Sequence, residues 1–428
     1  MSVNDKLRQL EENGKNIKVS LIGAGLMGKG MVSQMMLMKG MTPSLVVSRN
    51  IEDAIATYTL AGIRREDIKV AKNLNDINIA MEDGKFVVSD NTELGSKANL
   101  IDVVVDATGS PEAGARIAMD SILNKKHIVM VNVEADVTVG PILNKLAKNA
   151  GVVYTGTAGD EPGSVKEIYD FADALGFEII AIGKGKNNPI DFDANPDTVR
   201  EIALKKNLKP LRLASFVDGT NTMIEMAAMS NSTGFIPDIR GSHGVHSDVK
   251  GLSDIFRLKK DGGILNNIGV VDYVHGIAPG VFVVVSTSLN QIHSEMKYLS
   301  MGDGPNYVLY RPYHLTSLET PITVANAYFY NEATIAPIDG PVSEVVTLAK
   351  IDLKKGEYLD GIGEYKVLGT IEEYKKAKAE NLLPIGLVNT KTRVKRDIKK
   401  GEVITYDMVE LDKTSSIYKL RQMQEEIF

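Results

Sequence analysis

The sequence predicts an α/β fold with an N-terminal doubly wound parallel sheet, an α+β middle part and a small β-rich C-terminal part. Three observations carry this. A glycine-rich turn joins an apolar strand to a helix near the start, strand and helix patterns alternate from Ile17 to about Thr155, and the patterning changes after Pro337. Alternation of strands with helices is the signature of a parallel sheet covered on both faces.

The first strand pattern, Val19-Ser20-Leu21-Ile22, runs into Gly23-Ala24-Gly25-Leu26-Met27-Gly28. In a Gly-x-Gly-x-x-Gly turn the first glycine permits the tight bend, the second lets the backbone approach a pyrophosphate, and the third lets the helix pack on the strand. The pyrophosphate then sits at the helix N-terminus. A second apolar strand, Ser44 to Val47, follows at the distance a Rossmann unit requires. Its tip is Ser48-Arg49-Asn50, where an NAD site usually has Asp or Glu. A guanidinium beside small hydrogen-bonding residues suits a 2′-phosphate, so NADP(H) is expected over NAD(H). The alternative is an Arg49 that is only a solvated surface charge.

Leu100 to Asp106 reads as a further strand ending in Ala107-Thr108-Gly109, and His127 to Asn132 as another ending in Val133-Glu134-Ala135-Asp136. Ligands of such sheets lie beyond the carboxyl ends of the strands, so Thr108 and Gly109 join the expected cofactor contacts. Glu134 with Asp136, and Asp160 with Glu161, are carboxylate pairs that suit a general base or a hard divalent ion such as Mg2+ or Mn2+. Glu134 and Asp160 are the pair members expected in the site, although Glu134 also suits a helix N-terminus.

The composition sets limits. The 428 residues carry a formal net charge of −6 and no cysteine, which excludes disulfides, thiolate metal sites and a cysteine nucleophile. No long basic run and no long apolar run occur, so neither nucleic acid nor a membrane is an expected partner. A cytoplasmic homodimer or homotetramer is expected. Domains are expected over 1–156 for the cofactor, 157–337 for substrate and dimerisation, and 338–428 as a separate tail. A chain ending near Ala336 is then expected to keep its nucleotide-binding core.

Three clusters in the middle region suit a small anionic substrate, phosphorylated or a sugar acid. Gly183-Lys184-Gly185-Lys186-Asn187-Asn188-Pro189 reads as a loop after a strand at Glu178 to Ile182, presenting two ammonium groups and two amides. Lys184 and Lys186 would stabilise developing oxyanion charge, with Asn187 and Asn188 on the substrate. Arg240, Ser242 and His243 suit an anionic group, while His243, His246 and Asp248 make a weaker metal set. Arg311 and His314 precede a helix beginning near Leu315, where His314 could move a proton. Each cluster also has a plain reading, as a solvated turn or a satisfied histidine.

The Rossmann part, the loop Gly156 to Gly163, the run Gly183 to Pro189, the run Arg311-Pro312-Tyr313-His314-Leu315 and the β-rich tail together resemble the 1-deoxy-D-xylulose 5-phosphate reductoisomerase-like proteins, homoserine-dehydrogenase-like oxidoreductases with a C-terminal SAF domain. The resemblance implies reductoisomerisation of a 1-deoxy-xylulose-5-phosphate-like ketose to 2-C-methyl-D-erythritol 4-phosphate, an isoprenoid precursor. Oxidation or oxidoisomerisation of a sugar acid or a homoserine-like substrate is the alternative, and a non-catalytic NADP(H) sensor is the alternative of another class.

Overall fold

The computed structural model describes residues 2–428, and the chain groups into two compact units. The first comprises 1–160, 315–336 and 420–427, and the second comprises 161–314, 337–419 and residue 428. Most of the expected tail therefore shares a unit with the middle region, and its residues 420–427 belong to the first unit.

In the first unit seven strands form one parallel sheet: β1 (Ile17–Ile22), β2 (Met41–Val47), β3 (Ile68–Val70), β4 (Phe86–Ser89), β5 (Val103–Asp106), β6 (His127–Met130) and β7 (Tyr154–Thr155). Their order is β3-β4-β2-β1-β5-β6-β7. β1 and β5 are buried along almost their whole length because helices cover both faces of such a sheet. The order reverses between β1 and β5, the switch point beside which dinucleotides bind. Val133 to Asp136, expected as a strand tip, instead opens the helix Val133–Ala150, because Asn132 caps it by accepting from the Ala135 N–H at 3.1 Å.

That helix contains Pro141, which has no N–H to give and crowds the preceding turn. The next amide, Ile142, donates to Gln424 Oε1 at 3.2 Å, while Gln424 Nε2 donates to the Thr138 carbonyl at 3.3 Å. The fully buried Gln424 amide is thus spliced into the helix ladder where the proline opens it.

In the second unit a mixed sheet is built from β8 (Glu178–Lys186), β9 (Ile236–Pro237), β10 (Val245–His246), β11 (Val270–His275), β12 (Val281–Ser286) and β13 (Asn306–Arg311). Its order is β10-β11-β8-β12-β13, with β9 also on β11. β10, β11 and β8 are parallel, and β12 runs against β8. The helices Glu161–Ala174 and Thr220–Thr233 pack on this sheet, and the hairpin of β14 (Ser343–Ala349) and β15 (Val367–Glu373) packs on Thr220–Thr233. Covered in this way, Thr220–Thr233 is buried nearly all round.

Gly183 to Lys186, expected as a loop, is strand. An ideal Cβ on Gly183 would lie 1.9 Å from the Asp272 carbonyl oxygen of β11, and one on Gly185 would lie 2.4 Å from the Ala278 nitrogen. The glycines are the close-approach face of β8 and the lysines the opposite face, since side chains alternate along a strand. No helix among the described residues is long and apolar enough to cross a membrane.

Candidate active site

The glycine turn has the geometry its residues predict. Gly23 has φ 116°, and a Cβ there would lie 2.6 Å from the Ala107 carbonyl oxygen. A Cβ on Gly28 would strike the Gly23 carbonyl at 2.2 Å, so the helix Leu26–Met35 sits tightly on the turn. Gly25, its N-cap, would meet no described heavy atom within 4 Å, which leaves the cradle clear on that side. Leu26 and Met27 are exposed at the first turn. These features fit a dinucleotide pyrophosphate.

Arg49 is exposed and has no hydrogen bond or ion pair among the described residues. Ser48 is half-buried beside it. Asn50 caps the helix Ile51–Leu60 through the Glu52 N–H and donates to Asp53 at 3.0 Å, so its amide serves the protein rather than a ligand. Beyond β5, Thr108 donates its N–H to Asp106 Oδ1 at 3.0 Å, and Asn132 Nδ2 reaches Asp106, Thr108 and Ser110. This network shapes the turn through Thr108 and Gly109. Burial pushes Asp106 up to about 6. Glu134 is buried in the first turn of Val133–Ala150, and Asp136 accepts from Tyr154 Oη at 2.8 Å. Glu134 and Asp160 both belong to the first unit.

In the second unit the lysine face of β8 meets two helices. Lys184 Nζ lies 2.7 Å from Glu161 of the helix Glu161–Ala174 and also bonds Glu225 of Thr220–Thr233. His314 Nε2 stands 3.5 Å from the same Glu161 oxygen, and Asn221 donates to Glu225 at 2.5 Å. One ammonium is shared by two buried carboxylates. Burial pulls the Lys184 pKa down, but the charges of Glu161 and Glu225 outweigh it and the pKa is raised. Burial opposes ionisation of Glu161, yet Lys184 and then His314 hold it below the usual range. Glu225 is raised, by burial and then by the Glu161 charge. Two carboxylates and one ammonium leave one negative charge in excess, and Glu225 is where the proton returns first.

Lys186 differs. It donates to the Phe216 carbonyl at 2.8 Å, near the end of the helix Pro210–Val217, and has no carboxylate in hydrogen-bond reach among the described residues. Burial, then the Lys184 charge, pulls its pKa down to about 8. It is the lysine that can exchange a proton near neutrality.

Other expected substrate residues are committed elsewhere. Arg240 binds Glu372 at 2.5 Å and Glu380 at 2.6 Å, tying β15 and the segment after it to the second unit. A guanidinium holding two carboxylates is not open to a substrate anion. His243 Nε2 pairs with Asp238 at 2.8 Å, and buried Ser242 donates to the Val271 carbonyl at 3.3 Å. Arg311 reaches Glu167 at 2.9 Å and Ser164 at 3.2 Å, and lies over the Tyr313 ring. Asn187 and Asn188 follow the end of β8, Asn187 exposed and Asn188 half-buried. The set His243, His246 and Asp248 is not gathered: His246 stacks on His275, and Asp248 accepts from the Gly251 N–H. Lys184 takes one oxygen of each of Glu161 and Glu225.

Glu225 escapes sequence reasoning, although its signal is present: it is the one carboxylate in a helix otherwise composed of apolar and small polar residues. Such a buried charge needs a partner.

Residues 159–320 match the family model for the oxidoreductase DRL catalytic domain, and residues 23–155 match that for the homoserine dehydrogenase NAD binding domain. No curated protein matches the chain. Similar solved structures include a probable dehydrogenase from Thermotoga maritima, 13% identical with TM-score 0.40, covering 75% of this chain and 90% of that one. Another is scyllo-inositol dehydrogenase from Lactobacillus casei with bound NAD(H) and scyllo-inositol, 12% identical with TM-score 0.38, covering 69% of this chain and 76% of that one.

Proposed function

We propose, from the premise that this chain is an NAD(P)-binding oxidoreductase, that it uses NADP(H) to interconvert a carbonyl and an alcohol on a small anionic polyhydroxylated substrate. Reductoisomerisation of a 1-deoxy-D-xylulose-5-phosphate-type ketose is the specific reaction we propose, following the sequence resemblance. The observation that carries the proposal is the contrast between two lysines on one strand face, Lys184 locked between carboxylates and Lys186 poised near pH 8.

Gly23, Gly25 and Gly28 would hold the pyrophosphate and Arg49 the 2′-phosphate. When bound, the nicotinamide supplies or accepts the hydride. Lys186 gives a proton to the carbonyl oxygen, or takes one from the hydroxyl in the reverse direction, because its ammonium is easily deprotonated where burial disfavours charge. Lys184 cannot share this duty while two carboxylates hold it. It fixes Glu161 and Glu225, and Glu225 can take up a proton when a neighbouring hydroxyl loses one. His314 stands 3.5 Å from Glu161 and adds a positive-charge partner to it when protonated.

The test is nicotinamide absorbance with the full-length protein and a panel of 1-deoxy-D-xylulose 5-phosphate, other phosphoketoses, sugar acids and homoserine, each with and without Mg2+. Oxidation of NADPH by the deoxypentulose phosphate with formation of the branched polyol phosphate is expected. Turnover of sugar acids alone would replace that substrate, and binding of NADPH without turnover of any member would sink the enzymatic reading.

A further inference from the structure

β10, β11 and β8 run parallel with His246, His275 and Lys186 in one register row, the last residue of each strand. Aligned residues of neighbouring parallel strands face the same way, and such strands lie roughly 5 Å apart. The two imidazoles stack with centroids 4.5 Å apart and planes at 17°. The row is graded in exposure, from exposed His246 through half-buried His275 to buried Lys186.

Its donors are largely unspent. Among the described residues neither imidazole of the pair has a hydrogen-bond partner, and Lys186 gives only one of its N–H groups, to Phe216. The charges acting on His275 are His246 and Lys186, both cationic when protonated, with no carboxylate among them. Around Lys186 stand Lys184, Glu225, Asp218 and Glu161. Of these, Glu225 and Glu161 hold Lys184, and Asp218 pairs with Lys350 at 2.6 Å. Three cationic or protonatable side chains thus converge with their compensating charge engaged elsewhere, at the end of the same strand that carries the reacting lysine. The residues the sequence offered for an anion, Arg240 and His243, already have carboxylate partners.

We infer that the stacked pair His246–His275 binds the phosphate monoester of the substrate, next to Lys186, which is left to the reacting oxygen. A phosphate monoester carries about two negative charges on three outward oxygens, whereas a carboxylate carries one, so the phosphate is the stronger acceptor for two unpartnered imidazoles beside an ammonium. The inference rests on the oxidoreductase reading only for identifying the phosphate as the substrate's.

The test follows the imidazole resonances of the full-length protein, labelled with nitrogen isotope at its 6 histidines, as inorganic phosphate is added, with acetate at equal concentration as a second arm. His246→Gln and His275→Gln assign the signals. Phosphate should shift both rings while acetate leaves them in place. His275→Gln should weaken phosphate binding roughly ten- to a hundredfold, with NADPH binding retained as a check on folding. Phosphate that leaves both rings unmoved in the wild-type protein overturns the site, and acetate acting as strongly as phosphate overturns the phosphate class. Phosphate bound at the pair without turnover of any carbonyl substrate removes the proposed activity and keeps the site. Turnover of a phosphoketose with unmoved rings removes the site and keeps the activity.

Discussion

At Lys186 a single ammonium decides how the reaction depends on pH. With a pKa near 8 it is mostly protonated at pH 7, so turnover in the direction of carbonyl reduction should fall as pH rises through about 8. Lys186→Arg keeps the charge but cannot release a proton in this range, and should abolish that limb while turnover drops. Lys186→Ala should lower turnover by roughly a hundred- to a thousandfold with NADPH affinity little changed. A pH–rate profile identical in the arginine variant would show that another group titrates. The linkage to folding has a fixed sign: this lysine's pKa is lower folded than unfolded, so between about 8 and its ordinary 10.5 the unfolded chain holds more protons and stability rises with pH. At the other end of the chemistry, Arg49→Glu should weaken NADPH roughly ten- to a thousandfold and spare NADH, as measured by fluorescence titration.

At the scale of elements, Lys184 clamps β8 to the helices Glu161–Ala174 and Thr220–Thr233 through one charge shared by two. Lys184→Met would leave two buried carboxylates facing each other and should cost about 3–5 kcal/mol in urea melts. Glu225→Gln alone should cost much less, because the remaining pair is then neutral, and the double variant should recover part of the Lys184→Met loss. Additive effects would mean that the two side chains do not interact. Gly183→Ala should prevent β8 from pairing with β11, because its methyl would overlap the Asp272 carbonyl. These contacts also explain what the sequence concealed. Glycine, lysine and asparagine in succession resemble a loop by composition, and only the neighbouring backbone shows why the glycines stand within a strand. The dinucleotide turn was legible because its glycines, strand and helix are adjacent in sequence. The clamp was not, since Glu161, Lys184 and Glu225 meet only after three separate elements pack. Arg240 and His243 have suitable chemistry for an anion, and their partners Glu372 and Asp238 could not be known before folding.

At the scale of the whole molecule, the two units are discontinuous in sequence, and this reverses the expectation for a shortened chain. Ending the protein after Ala336 removes the hairpin β14–β15 that covers Thr220–Thr233 and also the helix residues that serve the first unit. Such a chain should lose cooperative thermal unfolding and bind no NADPH. A sharp melting transition with retained NADPH binding would show that the first unit closes without its last segment. Gln424→Ala is the milder version of the same experiment: the Thr138 carbonyl keeps Arg421 Nη1 at 3.3 Å, while the Ile142 N–H loses its partner, which should cost about 1–3 kcal/mol in urea melts. Gln424→Glu should be no better, since a carboxylate cannot donate to the Thr138 carbonyl.

The amide that mends the Pro141 break arrives 282 residues after the helix it mends. A ribosome making this chain would therefore extrude the entire cofactor-binding sheet, and nearly all of the second unit, before the residue that completes the first. Until then the Ile142 N–H in the middle of the helix Val133–Ala150 lacks the side-chain partner it has in the folded chain. Position 424 thus makes the first unit depend on a segment far along the chain from the helix it completes.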